Sequence, residues 1–97
     1  MLTGITQAQL LNWRLGKLMD EGLVSSQQIS MAKCNNVQLA LEIAREARQV
    51  HGAMGITGEY PIMRHMMNLE SVVTYEGTQD IHLLILGQKI TGISAFS

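Results

Sequence analysis

Tyr75-Glu76-Gly77-Thr78 sets one carboxylate between an aromatic ring and a glycine followed by a hydroxyl. An apolar stripe precedes these residues and another begins after them, so the spacing predicts a turn between two helices. A carboxylate acts as a general base toward a C–H bond only when it is held near the proton and kept from water, where its basicity is weak. The turn answers the first condition. Val72, Val73, Ile81 and the Tyr75 ring are candidates for the second, because desolvation disfavours the charged form and raises a carboxyl pKa. On spacing alone, a solvated glutamate at a helix end is the more ordinary reading.

The other reactive side chains form no comparable group. His51, His65 and His82 lack the pairwise spacing of helical metal ligands, and no metal site is expected. Cys34 is the single cysteine, with Lys33 as its basic neighbour, which predicts an inert thiol and no internal disulfide. The methionines read as core filling rather than a soft binding surface. Seven basic and eight acidic side chains leave a formal charge of −1, with no cationic stripe to neutralise phosphates, so nucleic acid is not an expected partner.

At 97 residues, 46% of them hydrophobic and only four aromatic, the chain is expected to be one small domain with a core of Leu, Ile, Met, Val and Ala, which suits helices. The longest apolar run, Leu83 to Leu86, is far short of the roughly 20 residues a membrane span needs. The polar N-terminus does not read as a signal peptide. A soluble chain is predicted, and the unpaired cysteine favours a reducing compartment, the cytoplasm or an organelle (mitochondrial) matrix.

Four helices must position the turn. Thr6 and Gln9 form a capping-box pattern ahead of a first helix, with Ala8, Leu11, Leu15 and Leu18 on one face and Gly22 as its stop. Ser25 and Gln28 repeat the pattern for a longer second helix, whose stripe runs Ile29, Ala32, Val37, Ala40, Ile43, Ala44, Ala47 and Val50 up to the glycine-rich turn from Gly52 to Gly58. Pro61 suits the first turn of a third helix with the stripe Ile62, Met66, Leu69 and Val73, ended by Glu76-Gly77. Thr78 caps a fourth helix that runs to about Gly92. The apolar residues of that last helix point in several directions, which predicts burial on most sides or contact with another subunit.

From Glu59 the chain reads Glu59-Tyr60-Pro61, then Arg64, then Tyr75-Glu76-Gly77-Thr78. Together with Met67-Asn68-Leu69-Glu70, Asp80-Ile81-His82, Ile90-Thr91-Gly92 and Ala95-Phe96, this resembles the C-terminal helical domain of the flavin-dependent acyl-CoA dehydrogenases, and the glutaryl-CoA members most closely. Met67-Asn68 supports the narrower assignment, since many short- and medium-chain members carry Arg-Asp there. Gly52-Ala53-Met54-Gly55 departs from the more common Gly-Gly-Asn-Gly.

The resemblance implies an all-α, up-down four-helix bundle, with residues 1–97 of this chain forming the C-terminal helical domain of a longer enzyme. In that family the glutamate matching Glu76 removes the proton next to the thioester, while its backbone N–H binds the thioester oxygen. Tyr75 would lie near the distal carboxylate of a glutaryl group, and Gly77 would line the acyl pocket. Gln49 and Ala53 match a segment that reaches the adenine end of FAD bound mainly by a neighbouring subunit. Thr78 and Asp80 match positions near the flavin and ribityl part, and Phe96 matches another cofactor contact. The complete enzyme would be a homo-oligomer, a tetramer in this family. It would oxidise an acyl-CoA, glutaryl-CoA in the closest type and usually with decarboxylation to crotonyl-CoA, and pass electrons to an electron-transfer flavoprotein. The chain alone is expected to be inactive and not to hold FAD by itself. Two alternatives stay open: a stand-alone helical assembly module without catalysis, and a dehydrogenase for another acyl-CoA.

Overall fold

The computed structural model describes residues 1–75 and 78–95. It contains α1 (Leu2–Asp20), α2 (Ser26–Val50), α3 (Ile62–Thr74) and α4 (Gln79–Thr91), with a short 3-10 helix at Gly52–Ile56. No strand occurs among the described residues. The expected all-α four-helix bundle is therefore present, with α2 as its axis: α1, α3 and α4 all pack against α2.

Local signals explain most of the boundaries. Ser25 accepts the Gln28 N–H at 3.3 Å while its own N–H donates to Gln28 Oε1 at 2.9 Å, the reciprocal capping box. Gly22, at φ +72°, donates to Met19 O, and Leu23 donates to Leu18 O at 2.8 Å, a pairing that closes α1 and requires the left-handed conformation glycine adopts freely. Thr78 accepts the Ile81 N–H at 3.2 Å and opens α4. Thr6, by contrast, does not start a helix. Helix α1 already runs from Leu2, and the Thr6 hydroxyl donates back to Leu2 O at 3.0 Å, an interior use open to threonine.

The expected stripes on α1 and α3 are half-buried as a set. That of α2 is corrected at both ends, because Ile29 and Val50 are exposed while Ser30, Cys34 and Leu41 are buried. A helix packed on two sides buries two stripes, so a single-face reading misses one of them. Asn36 donates to Asn12 Oδ1 at 2.8 Å, tying α1 to α2. Arg45 and Glu70 pair at 3.2 Å between α2 and α3, but both are more than half exposed and the pair adds little.

Helix α4 is not buried within the chain. Only His82 of its residues is buried, while Leu83 is 53% and Ile90 83% exposed. On α1, Leu10 and Trp13 are also more than 60% exposed. The radius of gyration is 15.9 Å, against about 12.5 Å for a self-contained domain of this length. The accessible surface is 6839 Å², where a free monomer of this mass would show about 5,500 Å². Surplus surface of that kind, largely apolar on α1 and α4, predicts self-association. Sedimentation across a concentration series should give a rising average mass, and a concentration-independent monomer would count against this.

Among the described residues, no helix is long and apolar enough to cross a membrane.

Candidate active site

Helices α3 and α4 meet at the turn that carries Glu76. Tyr75 ends α3, its N–H donating to Ser71 O at 3.0 Å, and Thr78 begins α4 with Asp80 in the first turn. Glu76 and Gly77 between them, and Phe96 near the chain end, lie outside the described residues. The flanking residues are described. Val72 and Val73 are half-buried, whereas Tyr75 and Ile81 face solvent. Of the four residues expected to keep water from Glu76, only the two valines are partly withdrawn from solvent.

Two neighbouring residues of α2 reach the turn. The Lys33 ammonium donates to the Tyr75 carbonyl and lies 5.6 Å from the centre of the Tyr75 ring. Cys34 and Gln79 bind each other through backbone and side chain: Gln79 Nε2 donates to Cys34 O at 3.3 Å, and the Cys34 thiol to Gln79 O at 3.9 Å. Neither Lys33 nor Gln79 was singled out by sequence spacing, because 42 or more residues separate the partners.

Burial pushes the Cys34 thiol pKa up, with the adjacent Lys33 charge pulling against it. The folded thiol therefore holds its proton more tightly than the unfolded one. Any contribution to stability is complete below the ordinary thiol range and declines as pH rises through it. At neutral pH the thiol is protonated, as the inert-thiol reading expects. Folded chain should resist iodoacetamide and react once unfolded. Rapid labelling of native chain would contradict this.

His82, in the first turn of α4, is buried with neither ring nitrogen hydrogen-bonded among the described residues. Sequence spacing sets His82 aside as a metal ligand but does not reveal its burial, because it sits within an apolar run. Among the described residues, no three His, Cys, Asp or Glu side chains are grouped to hold a metal.

Gln49 and Ala53 form a separate edge. They lie at the far end of α2, about 22 Å along the helix from Cys34 at 1.5 Å per residue, and both are exposed. Gln49 Oε1 accepts from Arg48 at 2.6 Å, leaving the Gln49 amide nitrogen without a partner among the described residues. His51 closes α2, its Nδ1 2.6 Å from Ala47 O, which requires the proton on Nδ1. The 3-10 helix then brings backbone to the surface, packed so closely on α2 that Gly55 is buried. The structure thus brings Tyr75, Thr78 and Asp80 to one end of α4, and keeps Gln49 and Ala53 apart from them.

The sequence profile of the family "Acyl-CoA dehydrogenase, C-terminal domain" matches residues 1–91. A glutaryl-CoA dehydrogenase structure from Mycobacterium smegmatis superimposes with a TM-score of 0.86 at 58% identity, covering 91% of this chain and 23% of that one. Another from the same organism, in complex with FADH2, gives 0.92 at 47% identity, covering 98% of this chain and 25% of that one. A curated relative, the 3-(aryl)acrylate reductase of Clostridium sporogenes, is 29% identical over 90 residues, 93% of this chain and 24% of the relative. This chain spans about a quarter of the length of these proteins. With the four helices, the capped turn and this match in hand, the chain belongs to the acyl-CoA dehydrogenase family, whose C-terminal helical domain it carries.

Proposed function

We propose that this chain is the C-terminal catalytic and assembly domain of an FAD-dependent dehydrogenase of the glutaryl-CoA type, with Glu76 as the base that takes the proton alpha to the thioester. The observation that carries the reading is the 58% identity to a glutaryl-CoA dehydrogenase, twice that to a relative named for another substrate. Tyr75 would face the distal carboxylate, Gly77 the acyl chain, and the Glu76 N–H the thioester oxygen.

The residues present suit an edge contact with FAD rather than a binding pocket. Gln49 offers amide donors beside an exposed backbone turn, and Thr78, Asp80 and the N-terminus of α4 offer polar groups at the other end. FAD supplies the hydride acceptor for the beta carbon. This chain would contribute the proton acceptor, the N–H that donates a hydrogen bond to the thioester oxygen, and the helical frame that carries them. Positioning both reactants is most of the task, so the isolated chain should not turn over. An acyl-CoA substrate, a homo-oligomeric assembly through α1 and α4, and an electron-transfer flavoprotein as acceptor complete the proposal.

The test uses the complete dehydrogenase that carries this domain, with FAD and a dye acceptor. Glutaryl-CoA should be oxidised in preference to butyryl-CoA, with crotonyl-CoA and carbon dioxide as products. Preference for butyryl-CoA would remove the glutaryl assignment, and glutaconyl-CoA as the final product would remove decarboxylation. Activity of the 97-residue chain by itself would remove the claim that it needs other domains.

A further inference from the structure

Helix α4 meets α2 with its polarity reversed. Its buried residue is the imidazole of His82, 9% exposed, whereas Ile81, Leu83, Leu84 and Ile90 of the same helix face solvent. Both His82 ring nitrogens are buried without a hydrogen-bond partner among the described residues. A buried donor or acceptor left unpaired weighs against the state that buries it by about 5- to 100-fold in an equilibrium. Opposing that, Gln79 Nε2 donates to Cys34 O at 3.3 Å, with the Cys34 thiol to Gln79 O at 3.9 Å. Beyond Gln79, no side chain of α4 hydrogen-bonds to another helix among the described residues. The docking of α4 is therefore a balance of small terms. A helix of 13 residues is marginal by itself in water, and segments with little buried apolar surface open separately from the rest of a fold.

We propose that α4 opens from α2 as a unit in the flavin-free enzyme, and that its docked position is the one that binds FAD. The proposal rests on the placement of Thr78 and Asp80 beside the cofactor given above. Both residues lie at the start of α4, on either side of Gln79, so a ligand that touches them in the docked arrangement favours that arrangement over the open one. The apparent affinity for FAD then scales with the fraction of enzyme in which α4 is docked. His82 lowers that fraction through its own burial, and Gln79 raises it through its bond to Cys34.

The test is amide hydrogen exchange, followed by mass spectrometry, on the complete dehydrogenase stripped of flavin and then reloaded. In the flavin-free enzyme, peptides from α4 should exchange faster than those from α2, the axis of the bundle, and adding FAD should slow them. His82→Leu should slow α4 exchange in the flavin-free enzyme by about 5- to 100-fold and tighten FAD binding by up to the same factor. His82→Gln, a polar side chain with a helix propensity close to that of Leu, should stay near the parent in both respects. Gln79→Ala should act in the opposite direction, and it decides the matter by itself if the Leu variant misfolds. Exchange in α4 as slow as in α2 before flavin is added would overturn the proposal. So would variants that change α4 exchange and leave the affinity for FAD at the parent value. Neither readout uses turnover, so failure here is distinguishable from failure of the Glu76 assignment, which is read from proton abstraction.

Discussion

Replacing Glu76 by Gln in the complete dehydrogenase should lower turnover by about 10² to 10⁴-fold, the usual contribution of a positioned base. Gln keeps the volume, the backbone N–H and the turn between Tyr75 and Thr78, so flavin content and acyl-CoA affinity should change little. Loss in kcat without a matching change in KM is the signature of a group that acts only in the transition state. The thermal midpoint should stay close to the parent, because the capping of α3 by Tyr75 and of α4 by Thr78 does not use the Glu76 side chain. A variant that loses activity together with its flavin or its fold would point to structure rather than chemistry.

The second large effect belongs to Gly55. A Cβ placed there would lie 2.4 Å from the Arg48 carbonyl oxygen and 3.0 Å from Arg48 Cγ. The first of these is backbone in the last turn of α2, which cannot move without dragging His51 and the start of the 3-10 helix. Overpacking of this kind costs about 1 to 3 kcal/mol, and each kcal/mol lowers the midpoint of a domain this size by roughly 4 to 8 °C. Gly55→Ala should therefore melt clearly below the parent in a circular dichroism scan, and the complete enzyme should hold FAD less well if Gln49 and Ala53 contact it. Gly58→Ala is the control, since nothing lies within 4 Å of its Cβ. Equal melting of the two variants would show that the close approach of the 3-10 helix to α2 is not a constraint.

Much of this architecture is written in short-range signals. Ser25 with Gln28, Thr78 at the head of α4, and the glycines that close α1 and α4 are each recognisable from a few neighbouring residues, because capping is settled by groups three or four positions apart. Thr6 carries the same local pattern as Ser25 and misleads, since nothing in Thr6-x-x-Gln9 reveals that the preceding Leu2 to Ile5 is helical. The burial of Cys34 and Leu41 was hidden because α2 packs on two sides. Lys33 and Gln79 were invisible for a stronger reason: their partners lie across an interhelix contact, and spacing within one helix contains no information about register against another. The position of the turn was legible, but the side chains that hold it were not.

A 3-thia acyl-CoA isolates the central claim, because sulfur at the third position leaves no hydrogen to give as hydride and only the alpha proton can leave. Incubated in deuterium oxide with the complete dehydrogenase and followed by mass spectrometry, this compound should take up deuterium at the alpha carbon with the parent enzyme. The Glu76→Gln variant, with flavin and ligand still bound, should show exchange slowed by at least about 10²-fold. Exchange at the parent rate in the variant would mean that another group removes the proton and that Glu76 is a surface glutamate at a helix turn.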